Sequence, residues 1–256
     1  MPAQRFFLQH IDPQAGQVIF PADISHQIVH VLRLQPGDGV TVLDGQGRAY
    51  QVELHPFGNG QVTATIRSSG ESPANLPVQI SLFFPLSRRE KVEWILQKGT
   101  EVGVSAFQPF VSDRSLVQDI DLEPKKRSRW ESILREAAEQ SGRDRLPQLH
   151  HPQQLTQILS SGLAAFAFDR ALVASVDEKQ VSLSTALQSL PDRRRLPSLG
   201  LFIGAEGGFS PQELASFQEA GVCSVSLGDL VLRMETAAIV FPALVVYHFS
   251  ARAASE

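Results

Sequence analysis

Leu199-Gly200-Leu201-Phe202-Ile203-Gly204-Ala205-Glu206-Gly207-Gly208-Phe209-Ser210-Pro211-Gln212-Glu213 runs from an apolar strand straight into a loop with glycine at 204, 207 and 208, and then into a helix. Ser210 suits the N-cap of that helix, Pro211 its first position and Glu213 the third, so the helix start is written out in the sequence. Glycines at such a place adopt dihedrals closed to other residues and let a ligand come close to the backbone. In an open α/β sheet, ligands sit at the carboxyl ends of strands. The spacing is neither that of a Walker A loop, which ends in Gly-Lys-Ser/Thr, nor that of the Gly-x-Gly-x-x-Gly dinucleotide fingerprint. A tight strand-to-helix turn with no ligand would use the same residues, and this segment alone does not choose between the two.

The next predicted strand, Val222 to Leu227, ends in a second loop, Gly228-Asp229-Leu230-Val231-Leu232-Arg233-Met234-Glu235-Thr236-Ala237-Ala238, which enters a largely apolar helix. Glu235 near a helix N-terminus is electrostatically favoured whatever its role. Arg233, so close to a buried element, needs a counter-charge, and a ligand or Glu206 would supply one. Two neighbouring strand ends, each with a glycine loop, favour a shared pocket more than either loop does alone.

Moving outward, the chain from about residue 78 alternates strands with helices, the pattern of a mostly parallel α/β sheet. Strands are expected at Ile80–Phe84, Val104–Val111, Ala164–Phe168 and Leu199–Ile203. A helix is expected to open on a Ser87/Glu90 capping box, carry Val92, Ile95, Leu96 and Val102 on its apolar side, and stop at Gly103. Another opens at Pro124 with Trp130, Ile133, Leu134 and Ala137 inward. Before residue 70 the texture is β-rich: Val40–Leu43 and Ala49–Leu54 flank the turn Asp44-Gly45-Gln46-Gly47, Gln61–Ile66 adds a strand, and a short helix lies at about Ile24 to Leu32. Several short strands with one helix suggest a small barrel. The small, polar run Ser68–Asn75 reads as the linker.

Composition is that of a globular chain, with 43% hydrophobic and 20% charged residues, which argues against extensive disorder. The single cysteine, Cys223, makes no intramolecular disulfide and no cysteine metal cluster, and no metal is expected. Met1–Leu8 has no apolar run of signal-peptide length, and Ala237–Phe249 is too short to cross a bilayer and reads as a buried helix. A cytoplasmic protein with no membrane partner is therefore expected. The net charge of −4 argues against a general nucleic-acid coat, yet Lys125-Lys126-Arg127-Ser128-Arg129, Arg88-Arg89-Glu90-Lys91, Arg143 and Arg145 form local basic patches. Solvated helix faces would carry the same charges. Residues 1–75 hold four basic and six acidic residues, so that part would recognise a partner by shape and a few contacts.

Four segments in order resemble one family. Ile203-Gly204-Ala205-Glu206-Gly207-Gly208-Phe209-Ser210 is similar to the Ile-Gly-Pro-Glu-Gly-Gly-Phe-Ser motif of the RsmE-type 16S ribosomal RNA (uracil-N3)-methyltransferases, and Leu227-Gly228 through Leu232-Arg233-Met234-Glu235-Thr236-Ala237 to their Leu-Gly-x-x-Ile-Leu-Arg-x-Glu-Thr-Ala motif. Lys98-Gly99-Thr100-Glu101-Val102-Gly103-Val104 and Glu136-Ala137-Ala138-Glu139-Gln140-Ser141-Gly142-Arg143 also fit, and Arg5-Phe6-Phe7 and Val31-Leu32-Arg33 to Pro36-Gly37-Asp38 resemble the family's N-terminal PUA-like part. The resemblance implies a small PUA-like β-barrel over 1–72 that binds RNA, followed over 73–256 by an α/β SPOUT methyltransferase domain with a C-terminal trefoil knot. It further implies a homodimer acting with S-adenosyl-L-methionine on 16S rRNA of the small ribosomal subunit, with the subunit interface expected on the last helix, around Ala237 to Val246.

By motif position the resemblance assigns the cofactor to Ile203, Gly204, Glu206, Gly207, Gly208, Leu227, Gly228, Leu232, Arg233 and Thr236. The chemistry of methylating a protonated uracil nitrogen then points to Arg233, Glu235 and Glu206 for catalysis, with Arg233 stabilising negative charge on the base and Glu235 orienting it or Glu206 acting nearby. Arg5, Glu101 and Arg143 are assigned to the substrate side. Two positions depart from the pattern: Ala205 stands where proline is usual, which should loosen the loop, and Leu230 stands where arginine is common. Pro242 inside the last helix predicts a kink. Methylation of a ribose 2′-OH or of another RNA, and an RNA-binding assembly factor without chemistry, are the alternatives the sequence leaves open; a phosphate- or dinucleotide-binding enzyme fits the loops less well.

Overall fold

The structure, a computed structural model, describes residues 4–8, 10–58, 60–71, 76–190 and 196–253. The chain forms two compact units, one from the segment up to residue 75 together with 138–146, the other from 76–137 and 147 onward.

In the first unit, β1 (Arg5–Phe7), β2 (Gln17–Ile19), β3 (Gly39–Leu43), β4 (Arg48–Leu54) and β5 (Thr63–Glu71) form one sheet in the order β1-β3-β4-β5-β2. Between β2 and β3 lies α1 (Ala22–His26), continued by a π turn over Gln27–Val31. β1 runs parallel to β3 and the other pairs are antiparallel. The β3–β4 hairpin falls where the turn residues put it, because Asp44 Oδ1 accepts hydrogen bonds from the backbone N–H of Gln46 (2.7 Å) and Arg48 (3.0 Å). Alternate residues Val40, Val42, Tyr50, Val52 and Leu54 face a core with Phe6, Phe20 and Ile28. Residues 138–146 join this unit through a second small cluster, Phe7, Leu43 and Ala138 with Leu146, and through Glu139 Oε1, which accepts from Phe7 N (3.2 Å).

The expected linker begins too early. Ser68–Glu71 extend β5 and pair with β4 in the register Arg48↔Glu71 and Ala49↔Gly70, so backbone pairing prevails over their polar, turn-prone composition. The rest of that stretch, 72–75, lies outside the described residues.

The second unit contains β6 (Gln79–Pro85), α2 (Arg89–Val102), β7 (Ala106–Val111), α3 (Pro124–Gln140), β8 (Gln148–Leu149), β9 (Gln153–Gln154), α4 (Leu155–Gln157), α5 (Leu163–Phe166), β10 (Arg170–Ala174), α6 (Leu183–Gln188), β11 (Ser198–Phe202), α7 (Pro211–Glu219), β12 (Cys223–Val225) and α8 (Met234–Ala253). The last turn of α3, from Ala138, belongs to the first unit. All pairings are parallel, in the order β12-β10-β11-β6-β7-β8, with β9 also pairing β7. A parallel sheet is covered on both faces, and every residue of β7 is buried. One core holds Ile80, Leu82, Ile95, Trp130, Leu201 and Phe241. The other is aromatic, with Phe83 stacked on Phe202 at 4.1 Å and Phe217 edge-on to Phe202 and Phe209.

Three expectations for this unit fail. Ala164–Phe168 is not a strand: its alanine-rich start is helical in α5, the turn follows at Ala167 with φ +47°, and the strand is β10, whose Leu172 registers with Leu201. The Ser87/Glu90 capping box does not form. Arg88 is the N-cap of α2 without a side-chain bond, and Ser87, 5% exposed, has its hydroxyl turned inward; Gly103 ends the helix as expected. The last helix is longer than its apolar run. Its 18-residue window Met234–Ala251, of mean hydropathy 1.4, is long and apolar enough to cross a membrane by length and composition. Ala238, Phe241 and Val245 on it are wholly buried in the core, which makes α8 a core helix, and it continues unbroken through Pro242.

Candidate functional site

The loop after β11 is built from the local rules its sequence obeys. Ile203 N still donates to Phe83 O (3.0 Å), and the chain then turns back so that Gly208 N donates to Ala205 O (2.8 Å), with Gly208 at φ +70°. A Cβ on Gly204 would lie 3.2 Å from the Phe209 ring and 3.3 Å from Gly208 Cα, so a side chain there would have to push one or the other aside by a few tenths of an ångström. α7 starts on a complete capping box: Ser210 Oγ accepts from Glu213 N (3.2 Å) and Glu213 Oε2 accepts from Ser210 N (2.7 Å). The segment after β7 braces this loop. Asp113 N donates to Glu213 Oε1 (2.9 Å), Asp113 Oδ2 accepts from Ser210 Oγ (2.7 Å), and Arg114 Nη1 donates to Gly207 O (2.5 Å).

The loop after β12 carries Gly228 at φ +122° and is tied to Ser226, whose Oγ accepts from Gly228 N (3.2 Å). Leu230 and Val231 stand out from it, 82% and 79% exposed. Arg233 is the residue from which α8 springs, its carbonyl accepting from Ala237 N (2.8 Å). β10 lies between β12 and β11, and its own following segment, 174–179, completes the third side. Together these strand ends enclose a cleft of about 520 Å³, within the range of small-molecule sites. Its apolar walls include Ile203, Phe209, Leu214, Leu227, Leu232 and Met234, and three basic (Arg114, Lys179, Arg233) and three acidic side chains (Asp177, Glu206, Asp229) line it.

Of the residues assigned to the cofactor, Ile203, Gly204, Glu206, Gly207, Gly208, Leu227, Gly228, Leu232 and Arg233 all line this cleft. Thr236 does not; it is exposed on the first turn of α8. Glu235 stands behind the wall rather than in it, half-buried. The charge pairing differs from expectation. Glu206 does not partner Arg233: its Oε1 accepts from Lys91 Nζ (2.7 Å), and the same ammonium lies 3.2 Å from Glu235 Oε2. Burial pushes the Glu206 carboxyl up, but the Lys91 hydrogen bond, a backbone N–H, the Lys91 charge and the neighbouring Ser87 hydroxyl outweigh it, and the net shift is downward. The bond to Glu206, against the cost of burial, holds Lys91 above the usual lysine range, with Glu235 adding to it. Ser87 Oγ is near enough to act on Glu206 without a well-formed hydrogen bond to it. Arg233 is exposed and forms no ion pair among the described residues.

The three residues assigned to the substrate side have other surroundings. Arg5 pairs with Asp144, 2% exposed, within the first unit, and burial lowers its pKa. Arg143, also in that unit, is lowered to about 10 by burial. Glu101 on α2 is held by Lys98 Nζ (2.8 and 3.0 Å), which sits 5.4 Å from the centre of the Trp94 ring. Sequence reasoning missed Lys91, Arg114 and the segment 174–179. Lys91 had been counted in a basic patch, and the third loop was lost with the misplaced strand; the run Arg170-Ala171-Leu172-Val173-Ala174, ending in Ser175-Val176-Asp177, was the available signal.

A parallel α/β sheet whose three adjacent strand ends carry such loops is the fold of an RNA methyltransferase: residues 74–246 match the RNA methyltransferase domain family, and 20–67 the RNA methyltransferase PUA domain. The chain belongs to the ribosomal RNA small subunit methyltransferase E family. It is 33% identical to that enzyme of Bacillus subtilis over 245 residues, covering 91% of this chain and 92% of the relative. With the Mycobacterium bovis enzyme it shares 30% over 245 residues, 94% and 90% of the two chains. The crystal structure of the Neisseria gonorrhoeae enzyme, bound to S-adenosyl methionine, superposes with a TM-score of 0.82 at 28% identity over 96% of this chain and 98% of that one.

Proposed function

We propose that this protein transfers the methyl group of S-adenosyl-L-methionine to N3 of a uracil in 16S rRNA of the small ribosomal subunit. The observation that carries the reading is the single cleft formed by the ends of β10, β11 and β12, with a glycine-built floor and Arg233 unpaired at its rim. The cleft fits the donor: its volume suits a nucleoside-sized ligand, its apolar walls suit an adenine ring and a thioether-like chain, and the open backbone at Gly208 and Gly228 offers polar groups at close range. Bound there, S-adenosyl-L-methionine supplies an electrophilic methyl group on a sulfonium.

The protein's part is placement and charge. The three loops hold the acceptor in line, which is the main source of rate in a displacement of this kind. Uracil N3 gives up its proton to solvent water, and the guanidinium of Arg233 balances the negative charge that then spreads over the ring. The N–CH3 bond forms as the S–CH3 bond breaks, leaving a neutral thioether. Glu206, held ionised by Lys91, is a weak proton acceptor, so its contribution is to the field of the cleft rather than to proton removal. N3 is hidden in a base pair, and the target must be unpaired or extruded.

In the finer architecture, residues 1–72 act as a PUA-like barrel that holds RNA, and 73–256 as a SPOUT domain with a C-terminal trefoil knot. Insertion of β11 between β10 and the earlier β6 supports the knot. The protein works as a homodimer in the cytoplasm, its subunits meeting on α8. Leu244 and Tyr247, 42% and 73% exposed on that helix, and Trp94, 49% exposed on the neighbouring α2, support that surface. The test is transfer of labelled methyl from S-adenosyl-L-methionine to small subunits and to naked 16S rRNA, with nucleoside analysis of the product. 3-Methyluridine is expected; any other methylated nucleoside, or none despite donor binding, overturns the assignment.

A further inference from the structure

Lys91 comes from the first turn of α2, 115 residues before Glu206 and 144 before Glu235 in the sequence. Its ammonium nevertheless lies between the two carboxylates, 2.7 Å from Glu206 Oε1 and 3.2 Å from Glu235 Oε2. Lys91 and Glu235 are half-buried, at 27% and 21% exposure, and Glu206 is open to solvent on one side, at 36%. Glu235 Oε2 is buried and makes no other bond among the described residues. Without a cation between them, two such carboxylates would repel, and one would be protonated or would swing to another cation. The cleft wall offers two other arginines, Arg114, whose guanidinium already bonds Gly207 O, and Arg233, two residues from Glu235 and without an ion pair among the described residues.

The charges of the cleft sharpen this. Its lining holds as many basic as acidic side chains, and the pair Lys91 and Glu235 behind the wall is also balanced. Loss of the Lys91 charge leaves a surplus anion where the reaction must develop negative charge on a uracil.

We infer that Lys91 is a positioning residue of the methyl-transfer site, which engages Glu206 and Glu235 so that Arg233 remains the free cation facing the substrate. The inference rests on the methyl-transfer reading above. Lys91 does not itself face the cleft; it acts through the two carboxylates and, by keeping them occupied, through Arg233.

The test compares the full chain with Lys91→Met, Lys91→Arg and the double variant Lys91→Met/Glu206→Gln. For each, the donor affinity is measured by calorimetry, the thermal midpoint by fluorescence, and kcat and KM on small subunits from mildly acidic to mildly alkaline pH. Lys91→Met should lose roughly tenfold or more in kcat, with a smaller change in RNA KM. Its deficit should shrink toward acid pH, where Glu206, no longer held ionised by Lys91, takes up a proton and the surplus charge disappears. Besides Lys91, the groups facing Glu206 are Glu235 of α8, Ser87 ahead of α2 and the charged side chains of the cleft, Arg114 and Arg233 among them; none of these is altered. Lys91→Arg keeps the charge but favours one carboxylate over the other, so its kcat should fall between those of the wild type and Lys91→Met, and Glu206→Gln in the Lys91→Met background should recover part of the loss. Should Lys91→Met fold poorly, the double variant, which carries one carboxylate fewer, still decides: activity recovered above the single variant supports the inference. A wild-type kcat in Lys91→Met overturns it, as does a deficit that is flat with pH and not relieved by Glu206→Gln. If the unaltered protein makes no 3-methyluridine, the methyl-transfer reading itself fails, whichever way the variants behave.

Discussion

Gly228 offers a measurement in which backbone geometry is separated from packing. It sits at φ +122°, a region that side-chain-bearing residues rarely enter, and a Cβ built on it would have nothing within 4 Å. Replacing it by alanine therefore costs strain without a clash, about 1–3 kcal/mol for a residue held in such a conformation. Two short ties to the Ser226 hydroxyl, from Gly228 N at 3.2 Å and to Gly228 O at 3.3 Å, hold the loop locally, and Leu230 and Val231 beyond it are solvent-exposed. The unliganded protein can relax the loop to escape the strain, so global stability should hardly change. Bound donor requires the loop in its native form, and the strain then appears in binding. At 1.36 kcal/mol per tenfold, the donor affinity of Gly228→Ala should fall roughly 5- to 150-fold. Gly204→Ala is the contrast, because its Cβ would press on the buried Phe209 ring at 3.2 Å and on Gly208 Cα at 3.3 Å. That variant should lose both affinity and thermal stability. Calorimetric titration with S-adenosyl-L-methionine, paired with a thermal melt of each variant, reads both quantities. Wild-type affinity in Gly228→Ala, or a melting loss as large as that of Gly204→Ala, would refute the reasoning.

Arg233→Ala removes the unpaired cation at the rim and should lower kcat about a hundredfold or more while the melt stays close to wild type; near-normal turnover would remove Arg233 from the mechanism. Glu93 ties α2 to α3 by accepting from Arg129 (2.5 and 2.8 Å) and Arg89 (2.6 Å), and the Arg129 bond above all, against its burial, brings its pKa down to about 2. A depressed carboxylate stabilises the fold above its ordinary range and ceases to as pH falls through its folded value. The arginines are 52% and 63% exposed, so solvent screening reduces the stabilisation to about 1 kcal/mol. Urea unfolding should show that gap between the wild type and Glu93→Gln at neutral pH and none near pH 2. Arg5→Met strips Asp144, 2% exposed, of one cation and should cost the first unit about 3 kcal/mol, read as a lower unfolding midpoint. An unchanged midpoint combined with weaker RNA binding would return Arg5 to a substrate role.

The parts of the fold that were legible in the sequence are those specified by short-range chemistry. The turn at Asp44–Gly47, the capping box at Ser210 and Glu213, the helix start at Pro124 and the stop at Gly103 each depend on residues within a few positions of one another, and each formed as written. The failures lie where a distant partner decides. Ser68–Glu71 has the composition of a linker, yet β4 offers it a free edge and it becomes strand. Leu163–Phe166 carries an apolar run that a strand would share, but β11 takes Arg170–Ala174 instead. Residues 138–146 look like the tail of a helix in the second unit, and the Phe7–Leu43–Ala138–Leu146 cluster draws them to the first. In each case local propensity was overridden by pairing or burial that no window of sequence contains.

The candidate site divides along the same line, and the division explains why its charges were misread. Glycine spacing reports a backbone requirement, so nine of the ten positions read from the two loops do meet in one cleft. Ion pairing reports only what the fold brings within reach. Arg233 and Glu206 sit on neighbouring loops and look like partners, but a parallel sheet also delivers the start of α2 to the wall of the same cleft, and Lys91 arrives with a long, flexible chain able to reach both carboxylates. An ammonium is suited to that place because, as a compact point charge with three donors, it can serve two acceptors from different elements at once, where a guanidinium would favour one carboxylate in a planar fork. In the proposed reaction the guanidinium of Arg233, left at the rim, planar and permanently charged, is the group that would meet the delocalised anion of a deprotonated uracil. On that proposal the two cations divide the labour by where the sheet places them, the lysine spent on the protein's own carboxylates and the arginine kept for the substrate.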